Sequence, residues 1–232
     1  MGHIVNYDAY SEKDQHSRSM KIVDAWIHEL TAPLDKGIPT AYQIWQRAQE
    51  YLSIGDKRNA VRCQNLNYLL HNSSIPNTVR MGKEVHFGSG GLGVTLHALC
   101  EIGHGVVIGT HVTLGGRGGK KRSGAEGKAA FVPCIRDHAV ISTGSKILGG
   151  IEIGTLSIIG ANSLVVTDIP PLSIVVGSPG KVIKEITLDN CLPYKNTFLA
   201  LRAVSKFDYI ELVRATLTQK QRNSYHNSAR SK

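Results

Sequence analysis

Aromatic residues are scarce in this chain. Only 6% of its 232 residues are aromatic, although 41% are hydrophobic and 24 are glycine. A charge content of 19% with this apolar fraction is typical of a globular protein and excludes a disordered chain. Many glycines with few aromatic rings predict a backbone that turns often and packs small side chains.

Close cysteine pairs are absent. Cys63, Cys100, Cys134 and Cys191 lie far apart in the sequence, without the spacing of a zinc site or a disulfide framework. We therefore expect reduced thiols and a cytoplasmic location. No apolar run approaches the roughly 20 residues of a membrane-spanning helix, and the first residues do not resemble a secretory signal. The prediction is a protein without an integral membrane segment.

Acidic residues are outnumbered. The chain has 18 Asp and Glu against 27 Lys and Arg, a net charge of +9. This balance favours anionic partners. The positive charge is concentrated between Arg117 and Lys128 and in the tail after Glu211. No nucleic-acid-binding motif accompanies it, so we predict no nucleic-acid partner and consider the 117–128 cluster a possible clamp for phosphates or an anionic acceptor.

The first third of the chain has helical periodicity. We predict a mobile tail over 1–16 and a helical domain over 17–75, beginning with Ile22, Ala25, Trp26 and Leu30 on one face. Thr40 is expected to cap a second helix and Asp56 a third. The predicted packing faces are Ile44, Trp45, Ala48 and Leu52 in the second helix, and Val61, Leu66, Tyr68 and Leu69 in the third.

From about residue 79 the period changes to six. Aliphatic residues recur at this step at Leu96, Ile102, Ile108, Leu114, Ile135, Ile141, Ile147, Ile153, Ile159 and Val165. Neither a helix nor a plain sheet has this period. It predicts short strands joined by tight turns, with three strands to a coil and the coils stacked as a solenoid.

Two irregularities interrupt the repeat. An earlier series, Val79, Val85 and Gly91, runs out of phase with Leu96, which predicts a one-residue slip within 88–91. The step from Leu114 to Ile135 is not a multiple of six, so 115–131 is predicted to be a loop that leaves the solenoid. The β-helix is predicted over 76–190. The remainder, 191–232, is assigned to a C-terminal helix, with Phe198, Leu201, Val204 and Phe207 on one face, and a basic tail.

Three short motifs carry a family resemblance. They are Val112–Gly116 before the loop, Lys146–Gly149 after it, and Gly177–Val182 at the end of the repeat. Together with the period of six, they resemble the hexapeptide-repeat acyltransferases, most closely serine acetyltransferases and related polysaccharide O-acetyltransferases. The resemblance implies a mainly β fold with α-helices, a left-handed parallel β-helix preceded by helices and followed by a C-terminal helix.

The resemblance also implies a mechanism and an assembly. Such proteins are trimers with sites between neighbouring solenoids, and they use acetyl-CoA as donor. His97, directly after Leu96, is the candidate general base for the acceptor hydroxyl; a neutral imidazole suits this role near pH 7. Candidate donor-binding residues are Gly115, Gly116, Ser142, Thr143, Gly160, Ala161 and Lys181. Candidate acceptor-binding residues are Phe131, Val132 and His111.

The acceptor and the function class stay open. Phe131-Val132-Pro133 stands where serine acetyltransferases usually have Arg-His-Pro, and Leu96 stands where they have an aspartate. This favours a sugar of a surface polysaccharide as acceptor, with serine as the alternative. The fold is also compatible with a non-catalytic assembly module or a metal-dependent hydratase. His97, His104 and His111 are seven residues apart, so in a six-residue repeat they do not stack, and no metal site is predicted.

Overall fold

The computed structural model describes residues 37–119, 121–123 and 129–230. The predicted tail over 1–16 and the first helical face, with Ile22 and Trp26, lie outside these residues. The four-part domain division stays a prediction. Two helices precede the repeat within the described residues.

Helix α1 (Ala41–Ser53) begins where the sequence places its cap. Thr40 accepts a hydrogen bond from the Gln43 N–H, and the Gln43 side chain reaches back to the Thr40 N–H. This capping box satisfies two of the amide groups that the first turn leaves without a helical partner. Ile44, Trp45 and Ala48 are buried as predicted, whereas Leu52 is exposed.

Helix α2 (Lys57–His71) has the predicted Asp56 cap, but its predicted packing face is wrong. Its buried residues are Ala60, Cys63, Asn67 and His71, whereas Tyr68 and Leu69 are 66% and 78% exposed. The smaller and polar residues of this helix face inward because they pack against the backbone at the start of α1. Asn67 donates to the Ala41 carbonyl, and His71 contacts the Pro39 carbonyl. The apolar residues are therefore a poor guide to the packing face.

The repeat forms three parallel sheets that the chain visits in turn. Numbered along the chain, sheet A contains β1 (Arg80–Met81), β4 (Glu101–Ile102), β9 (Cys134–Ile135) and β12 (Glu152–Ile153). Sheet B contains β2 (His86–Phe87), β5 (Val107–Ile108), β10 (Val140–Ile141), β13 (Ile158–Ile159), β15 (Ser173–Val176) and the antiparallel β16 (Lys181–Glu185). Sheet C contains β3 (Thr95–Leu96), β6 (Thr113–Gly115), β11 (Lys146–Leu148) and β14 (Leu164–Val165). This is the predicted left-handed parallel β-helix.

The residues at the six-residue step form the core. All ten predicted positions are buried, and they stack in register, as in the pairing of Ile102 with Ile135 and of Ile108 with Ile141. A second inward row lies two residues earlier and includes Val94, Val106, Val112, Ala139 and Ile151. Three walls thus enclose one narrow apolar interior.

The predicted slip lies within 88–91 as expected, but its predicted size of one residue is wrong. Val79 and Val85 belong to the second inward row, whereas Met81 and Phe87 pair with Ile102 and Ile108 in the next coil. Phe87 and Leu96 are therefore nine residues apart where six would complete a step, and the extra residues form a short 3₁₀ segment, Gly88–Gly91. Helix α1 packs closely against this inserted segment, because a β-carbon at Gly91 would lie 2.5 Å from that of Ala41.

The C-terminal segment covers the outer face of sheet B. Helix α3 (Lys206–Arg230) follows two 3₁₀ segments, Leu192–Thr197 and Leu199–Leu201. Tyr209 is fully buried, and its hydroxyl donates to the Cys191 carbonyl at 3.1 Å. Phe198 and Leu201 are buried as predicted but precede the helix, and Phe207 is exposed. None of the helices in the described ranges is long and apolar enough to span a bilayer.

The turns between sheets A and B hold a half-buried histidine. His138 lies beneath Gly105, and within the described part of the chain its Nδ1 is buried without a hydrogen-bond partner. Burial lowers the pKa of His138, against opposing effects of Asp137 and Glu84 and a small lowering effect of His104. The folded state therefore favours the neutral ring.

Replacing a core isoleucine tests the interior. Ile141→Ala should lower the free energy of unfolding by about 2–5 kcal/mol, because it removes fully buried methyl groups and leaves a cavity. The matched control is Ile183→Ala in β16, where the side chain is 62% exposed; we expect a loss below about 0.5 kcal/mol. Urea unfolding of both variants gives the comparison, and equal losses would contradict the assignment of Ile141 to the core.

Removing the half-buried imidazole of His138 tests how its lowered pKa affects stability. With its pKa lowered in the folded state, His138 binds a proton more readily when the chain is unfolded, so it makes the free energy of unfolding fall as pH decreases below about 6.5. His138→Asn, which tolerates the positive φ at this position, should lose less stability than the wild type between pH 7.5 and 5.5 in urea unfolding. An unchanged pH dependence would show that His138 is freely protonated in the fold.

Candidate functional site

The predicted site residues fall into two groups at opposite ends of the strands of sheet C. The first, which we call the loop cluster, consists of His97, Gly115, Gly116 and Phe131 at the C-terminal ends of these strands, where the 115–131 loop departs. The second, the corner column, lies at the turns between sheets B and C. Its members are His111, Ser142, Thr143, Gly160 and Ala161.

His97 projects from the end of a sheet C strand. Its N–H donates to the Leu114 carbonyl at 2.8 Å, which places it beside Gly115 of the next coil. The residue is exposed, as expected for the position after the inward Leu96. A β-carbon at Gly116 would lie 4.0 Å from the His97 ring, so the glycine leaves the ring open to the base of the loop.

The hydrogen bonding of His97 defines its neutral form. The Leu99 N–H donates to Nδ1 at 3.2 Å. Because Nδ1 accepts this bond, the neutral ring carries its proton on Nε2. The outward nitrogen is then a donor, whereas a general base needs an available lone pair. Action as a base through Nε2 therefore requires His97 to give up the Leu99 bond and place the proton on Nδ1.

The loop cluster also contains both ends of the loop. The Arg117 N–H donates to the Phe131 carbonyl at 3.2 Å, so the two ends of the loop lie side by side. Phe131 is partly exposed, and the Lys121 ammonium lies 4.8 Å from the centre of its ring. A cation beside an aromatic face at this distance is favourable, and it places one positive charge of the loop at the mouth of the cluster.

Two residues of this region differ from prediction. Val132 is a predicted acceptor-binding residue, but its side chain is 2% exposed and packs in the core, where an acceptor cannot reach it. Arg122 belongs to the basic cluster predicted as a phosphate clamp. Its side chain is only 9% exposed and forms an ion pair with Glu101, so it serves the fold of the loop. Nothing in the sequence indicates that Arg122 and its neighbour Lys121 have such different surroundings.

The corner column is continuous from coil to coil. Ser142 donates its N–H to the Ile159 carbonyl, and the Thr110 hydroxyl donates to that of Thr143 at 3.3 Å. The His111 carbonyl accepts a hydrogen bond from the Lys146 ammonium at 3.2 Å. Ser142, Thr143, Gly160 and Ala161 therefore lie on adjacent coils, and their role in donor binding stays a prediction.

Lys181 lies close to the end of this column. It is exposed in β16 and pairs with Val176, whose side chain would meet a β-carbon placed at Gly160. One strand of sheet C separates the column from the loop cluster. At about 3.3 Å per residue, the four steps from His111 to Gly115 span roughly 13 Å. The outward side chains between the two groups are Thr95, Thr113, Lys146 and Leu164.

Neither metal ligation nor thiol chemistry has support in the geometry. Among the residues with described positions, no three His, Cys, Asp or Glu side chains come together as a metal ion would need. All four cysteines are buried and unpaired. Burial raises the pKa of Cys100 to about 12, so this thiol stays protonated near neutral pH and is a poor nucleophile.

Comparison with known proteins gives the β-helix a context. No protein-family model matches the chain. A serine acetyltransferase of Bacillus subtilis (strain 168) is 47% identical over 95 residues, which are 41% of this chain and 41% of that protein. The chain thus matches well under half the length of this curated relative.

Solved structures of the same kind match a longer stretch. A serine acetyltransferase solved in complex with CoA is 26% identical with a TM-score of 0.52, over 62% of this chain and 55% of that chain. The serine acetyltransferase of Neisseria gonorrhoeae, crystallised in complex with serine, is 28% identical with a TM-score of 0.51, over the same two shares. The predicted resemblance is confirmed: the chain is a hexapeptide-repeat β-helix protein similar to serine acetyltransferases.

Proposed function

We propose that the chain is an acetyl-CoA-dependent O-acetyltransferase that acts on the hydroxyl of a small acceptor, with His97 as general base. The observation that carries the proposal is the exposed His97 ring beside Gly115 and Gly116, at the base of the loop. Its support is the similarity to serine acetyltransferases, one of them solved with CoA. A cytoplasmic location stays a prediction.

The residues present are compatible with acetyl-CoA as donor. Its thioester supplies the activated acetyl group. Gly115 and Gly116 leave backbone open beside His97, and the exposed Lys121 and Lys181 can attract phosphates near the two groups of site residues. His97 would remove the hydroxyl proton as the acceptor attacks, a role typically worth about 10²- to 10⁴-fold in rate. The Leu99 bond is long and the ring is exposed, so rotation of the ring can free a nitrogen for this step.

Serine is the preferred acceptor, ahead of the predicted polysaccharide sugar. The sugar hypothesis relies on an apolar Phe131–Val132 pair, but Val132 is in the core. The remaining Phe131 stands beside the Lys121 ammonium, which can pair with the carboxylate of an amino acid. The relatives point the same way, since they are named serine acetyltransferases and one was crystallised with serine.

A non-catalytic assembly module is the second candidate. It is favoured by the hydrogen bond from Leu99 to His97, which leaves the neutral ring with a donor at its outward nitrogen. Under this hypothesis the chain forms the solenoid assembly but transfers no acetyl group to serine or to sugars. Thiol release from acetyl-CoA in the presence of each acceptor distinguishes the two functions.

The division of the site residues favours a homotrimer or a multiple of three. The loop cluster and the corner column lie at opposite ends of the strands of sheet C, and a second copy can bring its corner column to the loop cluster of the first. The neighbouring solenoid then completes the site, which is also the arrangement that the family resemblance implies.

The oligomeric state is directly measurable. We expect light scattering at micromolar concentration to give a mass three or six times the 25.2 kDa of the chain. Mixing a His97→Asn variant with a Ser142→Trp variant should then restore part of the transfer that each variant lacks alone, because mixed assemblies contain intact shared sites. A monomeric mass would contradict the shared-site arrangement.

Substitution of His97 tests the proposed base. His97→Ala should lower kcat by about 10²-fold or more with little change in the KM for acetyl-CoA, because the ring acts on the acceptor proton. The matched control is His86→Asn, an exposed histidine on the outer face of sheet B, which should retain wild-type rates. Near-full activity of His97→Ala would assign the ring a structural role, and absence of thiol release from the wild type with serine and sugars would favour the non-catalytic module.

A further inference from the structure

Arg122 is a loop residue whose charged side chain is almost fully buried. It lies in β7 (Arg122–Ser123), which pairs with β8 (Ala129–Ala130) to form a two-stranded antiparallel ribbon at the base of the loop. Its side chain is 9% exposed, in contrast to the exposed Lys121 beside it. A charge is stable in such surroundings only when its donors are paired.

The guanidinium meets partners on both sides of the loop junction. Nη1 donates to Glu101 Oε1 at 2.9 Å, and Nε donates to the Val132 carbonyl at 2.8 Å. Nη2 donates to the Pro133 carbonyl at 3.3 Å and reaches the Leu99 carbonyl at 3.5 Å. A planar fork of donors is needed for this arrangement, and lysine does not provide one.

Two of these partners are close to His97 in the chain: Leu99 lies in the turn that follows it, and Glu101 begins β4. Within this turn, the Leu99 N–H donates to His97 Nδ1, and the Cys100 N–H donates to the His97 carbonyl at 3.0 Å. Arg122 holds the other side of the same turn through the Leu99 carbonyl and the Glu101 carboxylate. Leu99, whose N–H bonds to His97 Nδ1, is thus also contacted from the loop, through its carbonyl.

We propose that Arg122 is a positioning residue that couples the loop to the protonation form of His97. By fixing the turn over residues 97–101, it keeps the Leu99 N–H directed at Nδ1 and the His97 proton on Nε2. Loss of the Arg122 contacts would release this turn, free the imidazole to rotate, and permit the base form. The proposal deepens the proposed function, but its central claim, the state of the His97 ring, is measurable without any assay of transfer.

The decisive measurement is the tautomer of His97 by imidazole ¹⁵N NMR. The His97 resonances are identified by their loss in His97→Asn. The wild type at pH 8 should show the form with the proton on Nε2, and Arg122→Gln should show a mixture of both neutral forms. The matched control is Arg136→Gln, which breaks an exposed arginine–glutamate pair with Glu152 on the same sheet and should leave the His97 resonances unchanged.

A second variant protects the test against misfolding. Arg122→Lys keeps the charge near Glu101 but loses the fork that reaches the carbonyls, so it should fold and still shift the His97 tautomer. Circular dichroism checks the fold of each variant. Unchanged His97 resonances in a folded Arg122→Lys protein, or in a folded Arg122→Gln protein, would overturn the proposal.

Kinetics separate positioning from donor binding. If the wild type transfers acetyl groups, Arg122→Lys should change kcat by about 10-fold and alter its pH profile, with the KM for acetyl-CoA within about twofold of wild type. A raised, salt-sensitive KM with unchanged kcat would instead make Arg122 a phosphate contact and overturn the positioning role. Failure of the wild type to transfer would contradict the proposed function alone, since the NMR result does not depend on it.

Discussion

The narrow interior enclosed by three parallel sheets is the constraint on which the rest of the structure depends. One aliphatic side chain per strand, together with the second inward row, fills it, and all ten residues at the six-residue step are buried. Because successive coils stack in register, every residue beside these positions is assigned to a known face or edge. His97 is exposed because it follows Leu96, and Ser142 and Gly160 are adjacent because each follows an isoleucine of the same sheet.

This regularity explains what could be predicted from sequence. A period of six specifies both the strand and its inward side, so the core and the loop excursion follow from it, whereas the candidate residues of the corner column came from the family resemblance. The motifs before and after the loop, Val112–Gly116 and Lys146–Gly149, lie on neighbouring strands of sheet C. The N-cap of each described N-terminal helix was also local enough to predict, since Thr40 and Asp56 bond to amides three residues away.

The failures share a different cause. The buried face of α2 depends on what it packs against, and a closely approaching backbone selects Ala60 and Asn67 over Tyr68 and Leu69. The 88–91 segment holds three extra residues because α1 packs there, which a repeat alone cannot show. Val132, where the excursion rejoins the coil, and Arg122, within the excursion, both lie outside the period. Val132 is buried because it packs in the core, and Arg122 because it bonds to Glu101 and neighbouring carbonyls.

The excursion between β6 and β9 also bears on how such a protein can diversify. Its two ends are joined by the bond from Arg117 to Phe131, and the strands on either side pair across it as though it were absent, Ile102 with Ile135 and Leu114 with Ile147. Doubling a flexible loop costs only about 0.6 kcal/mol in closure entropy. Segments of different length and chemistry can therefore be exchanged at this junction while the paired strands of the scaffold stay constant.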